Sequence, residues 1–338
     1  MTSITTIGTW LQRWGRLSEG ESKATEKLVA ETVLRKVASV AVLALALVVL
    51  AVGCGSGDAP SGDAPFTQST GKPVVVAAGD IAGCESKGDE ATAELLAKID
   101  GTVIALGDEA YEKGSVENFR ECYGPTWGRF KDRTLPVPGN HEYMTEGAEG
   151  YFDYFGDAAG DPSEGYYSYD LGAWHVVALN SNKCLEIGGC HALSGQVRWL
   201  EADLEANEGK ACTLAYMHHP LFTSGMYRPG IPEVKPLWEV LHKAGADVVL
   251  SAHDHNYQRF APQNPDGKVD REGGIREFVV GTGGKSHYEI GDVLPNSEVQ
   301  NDETYGVLKF TLHPEGYDWR FVPVEGEAFR DSGHGSCH

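Results

Sequence analysis

Beyond residue 70 the chain alternates short apolar runs with amphipathic segments, and this alternation predicts its architecture. PVVVAAG, Pro73 to Gly79, is a continuous apolar run and reads as a buried strand. DEATAELLAKI, Asp89 to Ile99, spaces its apolar positions as an amphipathic helix does, and TVIAL, Thr102 to Leu106, reads as the next strand. Strand-like YYSYD and AWHVVALN precede a helix over Ser194 to Asn207, with Ser194 as its N-cap. Strand CTLAYM, helix VKPLWEVLHKAG and strand ADVVLS come next, and the end is strand-rich: REFVVG, YGVLKFTL and YDWRFVPV. Strands alternating with helices predict an α/β fold with parallel pairs. With no repeat and no second linker, residues 71–338 read as a single domain.

The N-terminal part has a different pattern. Arg35 and Lys36 precede a largely apolar, uncharged stretch, Val37 to Gly53, and then come Cys54 and the polar run GSGDAPSGDAP. Such a stretch of 17 residues is short for a spanning helix and suits the h-region of an export signal. Cys54 after Ala51-Val52-Gly53 resembles a bacterial lipobox, with Ala51 where Leu is usual; an uncleaved anchor is the other reading. Residues 1–53 are therefore expected to be an N-terminal extension and lipoprotein-type signal segment, with Val33 a candidate true start, and residues 54–70 a flexible linker. Either reading exports the chain beyond Cys54, to the extracytoplasmic face of the membrane, the periplasm or the medium. The partner implied is a membrane, reached through a lipid or an N-terminal anchor.

Charge and cysteine content narrow the function. The net charge is −21, and residues 1–53 carry six Lys/Arg against four Asp/Glu, so their loss takes it to −23. So acidic a domain repels a nucleic-acid backbone, and no nucleic-acid partner is expected. Apart from Cys54 there are six cysteines, an even count that suits an oxidising compartment and permits 15 connectivities. Cys184 with Cys190 closes a short loop and Cys337 is placed to staple the tail to the Cys212 strand, leaving Cys84 with Cys122. Zinc–thiolate binding is the rival reading, but no CxxC pair supports it.

In open α/β sheets ligands gather beyond the carboxyl ends of strands. Here those positions read Gly79-Asp80 after the first strand, Gly107-Asp108-Glu109-Ala110-Tyr111 after the second, and Gly139-Asn140-His141-Glu142 after TLPVP. His218-His219 comes after CTLAYM, and His253-Asp254-His255 after ADVVLS. Singly, each has a bland explanation as a turn, a cap or a packing residue. Five blocks of potential metal ligands at successive strand ends point instead to a metal centre.

These blocks resemble, in order and spacing, those of the calcineurin-like metallophosphoesterases, and Tyr111 in GDEAY resembles the purple acid phosphatase branch. The resemblance implies a four-layer αββα sandwich as a single catalytic domain. It implies two metal ions sharing Asp108: one held by Asp80, Asp108, Tyr111 and His255, the other by Asp108, Asn140, His218 and His253. The expected ions are Fe(III) at the Tyr111 site and Fe(II), Zn or Mn at the second. A metal-bound hydroxide would attack a phosphate ester, with His141 stabilising the phosphoryl oxygens and His141 or His219 protonating the leaving group. Glu142 is expected to orient His141.

The pattern departs from the family at Ala252, where Gly is usual, at Ala82, where a His is common, and at Gln258, where Glu is common. The activity implied is phosphate monoester hydrolysis of the acid phosphatase kind. Phosphodiester or nucleotide hydrolysis on the same metals, and a non-catalytic metal- or phosphate-binding surface lipoprotein, are the alternatives. His175 is read as facing a satisfied sheet surface, Trp127, Trp174 and Trp199 as core packing, and His334 and His338 as tail residues; GTGGKSHY (Gly281 to Tyr288) is read as a turn, with one wall of the pocket as its other reading if His287 lies close to the metals.

Overall fold

The computed structural model describes residues 71–186, 189–226 and 230–338. The expected signal segment, Cys54 and the linker lie outside the described residues. Among the described residues, no helix is long and apolar enough to cross a membrane.

Two mixed sheets face each other. The first comprises β1 (Val74–Ala78), β2 (Thr102–Ala105), β3 (Thr134–Pro136), β11 (Gly306–His313), β12 (Gly316–Pro323) and β13 (Ser332–Ser336), in the order β13-β12-β11-β1-β2-β3. The second comprises β4 (Tyr167–Leu171), β5 (Trp174–Ala178), β6 (Cys212–Tyr216), β7 (Val248–Ser251), β8 (Tyr257–Phe260), β9 (Arg276–Val280) and β10 (Ser297–Asn301), in the order β10-β8-β9-β7-β6-β5-β4. Each sheet has a parallel part: β1, β2 and β3 at one end of the first, and β9, β7, β6 and β5 in the centre of the second.

The layers explain why these strands are apolar throughout. Along β5, β6 and β7 alternate residues enter different cores: Val176, Leu214, Tyr216, Val248 and Leu250 join the first sheet's residues, whereas Val177, Ala215 and Val249 meet Leu200, Leu204, Leu237, Trp238 and Leu241. The latter belong to the helices Gly195–Ala206 and Lys235–Lys243, which cover the second sheet's outer face. A strand covered on both faces has no polar side, so its sequence shows a run rather than an alternation. Helix Gly88–Leu96 contributes Ala93 and Leu96 to the first sheet's side. This is the four-layer αββα arrangement.

Most predicted elements occur, with shorter helices. The first ends at Leu96 rather than Ile99, and Ser194 caps the helix at Gly195 by backbone conformation, without a side-chain bond. The three disulfides are Cys84–Cys122, Cys184–Cys190 and Cys212–Cys337, as the spacing suggests, and they fit an oxidising compartment. Strand β13 is not predicted by the pattern: its residues SGHGS have poor strand propensity. It pairs with β12 because Gly333 and Gly335 lie across the rings of Trp319 and Tyr317, where an added Cβ would come within 2.4 Å of ring atoms.

Candidate metal centre

Five parallel strands, β1, β2, β3, β6 and β7, end at one place, and the loops after them supply every residue of the expected ligand set. Three of the four non-glycine residues with positive φ among those described are ligand candidates: Asp80 at 57°, Asp108 at 51° and His253 at 70°. Such backbone costs about 1–3 kcal/mol per residue and persists where surrounding structure enforces it. Gly139 allows a close approach of two loops, since a Cβ there would lie 2.1 Å from Asp108 Oδ1.

On one side of the centre, the Tyr111 hydroxyl is 2.9 Å from Asp80 Oδ1, 3.1 Å from Asp108 Oδ2 and 3.1 Å from His255 Nε2. His255 Nε2 is itself 3.2 Å from Asp80 Oδ1. On the other side, His218 Nε2 lies 3.2 Å from Asn140 Oδ1, 3.2 Å from His253 Nδ1 and 3.4 Å from Asp108 Oδ2. Donors about 2.1 Å from a common cation and at right angles to each other stand about 3 Å apart. Asp108 Oδ2 is therefore a neighbour of both groups, while Asp108 Oδ1 accepts the His141 backbone N–H at 2.9 Å.

The chemistry of the donors fits metal ions. His218 Nδ1 donates to the Leu106 carbonyl at 2.8 Å, so the nitrogen turned inward, Nε2, faces a carboxylate, an amide oxygen and another imidazole nitrogen. Burial disfavours the His218 imidazolium, yet Asp108 and Asp80 outweigh it and push the group up to about 9. His253, half-buried beside His218, is pushed down to about 4 by desolvation and by the His218 charge, which favours the neutral ring with its lone pair available. Burial and the carboxylates of Asp108 and Asp80 push the Tyr111 phenol well above its usual range. This concentration of negative and lone-pair density would be balanced by a cation between the ligands, beside which the phenol would lose its proton and become a phenolate donor. Clusters able to hold a metal include Asp80, Asp108 and His218, and also His218, His219 and His253. The third such group, Cys212, Asp247 and Cys337, is closed by its disulfide.

The outer contacts differ from expectation at Glu142. It does not orient His141; it is fully buried and accepts the backbone N–H groups of Asp108, Gly139, Glu109 and Ala110. His141 is instead held through Nδ1 to the Glu112 carbonyl at 2.6 Å, with Nε2 3.8 Å from Asp108 Oδ2. The two candidate acids also separate. His141 lines a cavity of about 380 Å³ together with Asp108, Asn140, His253, His255 and Tyr288. His219 is 2% exposed and outside that lining; its Nδ1 is 2.8 Å from Ser181 Oγ and its ring 4.6 Å from that of His253.

Several contributors are not identified by the sequence pattern. Asn180, Ser181 and Asn182 come after β5 and tie its end to the site through His219 and the Pro138 carbonyl; polar residues after an apolar run are the available signal. The segment Gly281 to Tyr288, read as a turn with a pocket wall as its other reading, supplies Ser286 Oγ, 2.7 Å from His255 Nδ1, and Tyr288, whose ring stacks on His255 at 3.8 Å and lines the cavity. His287 stacks on Tyr305. Gln258 is fully buried and holds Ser224, Thr223 and Asn256. Where the family commonly has a histidine, Ala82 pairs with Ala110 and its carbonyl accepts the Tyr111 N–H, bringing the tyrosine loop inward.

A fold of two sheets ending in one acidic and histidine-rich centre defines a metal-dependent α/β protein. The model of the calcineurin-like phosphoesterases matches residues 73–257, and the chain belongs to that family. It is 31% identical over 188 residues to acid phosphatase type 7 of Homo sapiens, covering 47% of this chain and 41% of that protein. It is 28% identical over 225 residues to a probable purple acid phosphatase 20 of Arabidopsis thaliana, covering 59% and 49%. The matches thus span less than half the length of these relatives. Among solved structures, a purple acid phosphatase from yellow lupin seeds superposes with a TM-score of 0.62 at 18% identity, over 80% of this chain and 55% of that one. GAP50, the anchor in the inner membrane complex of Plasmodium, gives 0.63 at 12% identity, over 79% and 89%. At those identities both establish fold alone.

Proposed function

We propose that residues 71–338 form a catalytic domain that hydrolyses phosphate monoesters at two metal ions, as the names of its acid phosphatase relatives suggest. The observation that carries this reading is the position of Asp108 Oδ2, within 3.1 Å of one ligand group and 3.4 Å of the other. Asp80, Asp108, Tyr111 and His255 would hold one ion, ferric iron, and Asp108, Asn140, His218 and His253 the second, ferrous iron, zinc or manganese. Two such cations, when bound, would supply Lewis acidity toward the phosphoryl oxygens and would lower the pKa of a water for in-line attack.

The chain's own residues then have separate tasks. His141, its Nδ1 donating to the Glu112 carbonyl, lines the cavity, and in its imidazolium form, with both ring nitrogens protonated, its Nε2–H stabilises a phosphoryl oxygen or passes its proton to the leaving alkoxide. His219 braces His253 rather than supplying the proton, because it does not line the cavity. The Glu142 carboxylate fixes the Asp108 and Asn140 loops at their backbones. The protein acts outside the cytoplasm, held to a membrane through lipid on Cys54, and the three disulfides support that compartment.

Turnover of a nitrophenyl phosphate monoester against the bis-ester tests the reading, with the metal-loaded protein expected to prefer the monoester. His141→Ala is expected to keep its metal and lose about two orders of magnitude or more in turnover. Faster bis-ester turnover would shift the assignment to a phosphodiesterase, and bound metal without turnover of either would favour a binding protein.

A further inference from the structure

Lys285 belongs to the Gly281 to Tyr288 segment beside the centre, and its ammonium lies 4.7 Å from the centroid of the Tyr111 ring. Its backbone N–H donates to the Asp80 carbonyl at 3.0 Å, which fixes the segment to the same half of the centre. The side chain is 23% exposed, and its ion pair is with Glu112, whose side chain is 65% exposed. A cation over an aromatic face attracts the π-density of the ring, more so where water is partly excluded. The Tyr111 hydroxyl, conjugated to that ring, points at Asp80, Asp108 and His255.

We propose that Lys285 is a positioning residue for the first metal: its ammonium over the Tyr111 ring draws electron density from the phenol oxygen that meets the ion and so sets the donor strength of that ligand. The inference rests on Tyr111 ligating ferric iron. Glu112 opposes Lys285, since its carboxylate neutralises part of the ammonium's charge. Groups around a ligand tune the metal through the ligand's basicity, and here the lever is a charge placed on the face of the ring.

The electronic consequence has a sign. A nearby cation lowers the energy of the phenolate electrons, so the phenolate-to-iron transition moves to shorter wavelength, and removing the cation moves it to longer wavelength. The test is the visible spectrum of the full chain loaded with ferric iron, with iron content measured in each sample. Lys285→Met is expected to shift the band to longer wavelength at unchanged iron content, Lys285→Arg to restore it, and Glu112→Gln to shift it to shorter wavelength. Tyr111→Phe, which should abolish the band, separates the ligand from the charge that tunes it. A band that Tyr111→Phe abolishes but that neither Lys285→Met nor Glu112→Gln moves overturns the role of Lys285 and leaves the ligand assignment standing. A colourless iron-loaded wild type, or a band that survives Tyr111→Phe, overturns both. If Lys285→Met fails to fold or to take up iron, Glu112→Gln decides, at a largely exposed side chain, and an unmoved band there overturns the proposal.

Discussion

Gly79 and Ala252 meet where the two sheets' loops cross, and a Cβ on Gly79 would lie 2.6 Å from the Cβ of Ala252. The methyl group that departs from the family pattern is thus accommodated by the absence of one opposite. Gly79→Ala is expected to destabilise by about 1–3 kcal/mol through overpacking. Adding Ala252→Gly should recover part of the loss, only part because Leu106 also lies within 3.0 Å of the added group. Urea denaturation of the two single variants and the double variant measures the coupling, and strictly additive losses would show that the contact is not the cause.

Glu142 joins the Asp108 and Gly139 loops through backbone N–H groups at 2.9 and 2.8 Å. Glu142→Ala leaves four buried donors without their acceptor, and we expect a loss of about 3 kcal/mol or more, since one unsatisfied buried group costs about 1–3 kcal/mol. Because the anchored backbone carries Asp108 and Asn140, metal affinity should fall alongside stability. Melting with and without chelator checks this: a variant that melts early yet binds metal at wild-type affinity would separate the two effects.

His175 is buried between Asp203, at 2.8 Å from Nε2, and Asp170, at 3.1 Å from Nδ1. Burial alone would lower its pKa, but the two carboxylates raise it above the usual 6.5. A raised folded-state pKa means that the stabilisation is fully present below pH 6.5 and disappears as pH rises through the folded value. His175→Gln should therefore cost about 1–3 kcal/mol at about pH 6 and progressively less at higher pH. Melting temperatures of both proteins from about pH 5 to about pH 9 should converge on the alkaline side, and a constant gap would contradict the ion-pair account.

The site was largely legible because its ligands come directly after apolar runs, and a run that stops at Gly-Asp or at His-His announces itself. The layers were legible for the same reason, through strands buried on both faces. Glu142, Lys285, Ser286 and Tyr288 acquire their roles only in the folded chain: Glu142 contacts backbone at Asp108, 34 positions away, and Lys285 reaches Glu112 across 173. No local pattern reports such a pairing. Strand β13 is hidden for another reason, since two glycines are a poor strand signal until Trp319 and Tyr317 provide rings to cover.

That strand also depends on Cys212–Cys337, a bridge across 125 residues. The paired change Cys212→Ser with Cys337→Ser should lower stability by about 2–4 kcal/mol, and reduction, which opens all three bridges, by more. It should also expose β13 to hydrogen exchange, and His338, whose backbone N–H donates to Asp247 at 3.0 Å, should detach with it. Intact mass of the unreduced protein provides the check, because six free thiols would rule out the pairing.

The most direct test of the two-metal centre is the metal content of Asp108→Asn. If Asp108 Oδ2 serves both ligand groups, the folded wild type should bind two ions per chain, and the substitution should weaken both together, because it removes a negative charge that the two share. Elemental analysis of wild type and variant after equal exposure to metal, with circular dichroism confirming the fold, should give two ions against close to none. A folded Asp108→Asn protein that retained two ions per chain would contradict the shared bridge and the two-metal centre built on it.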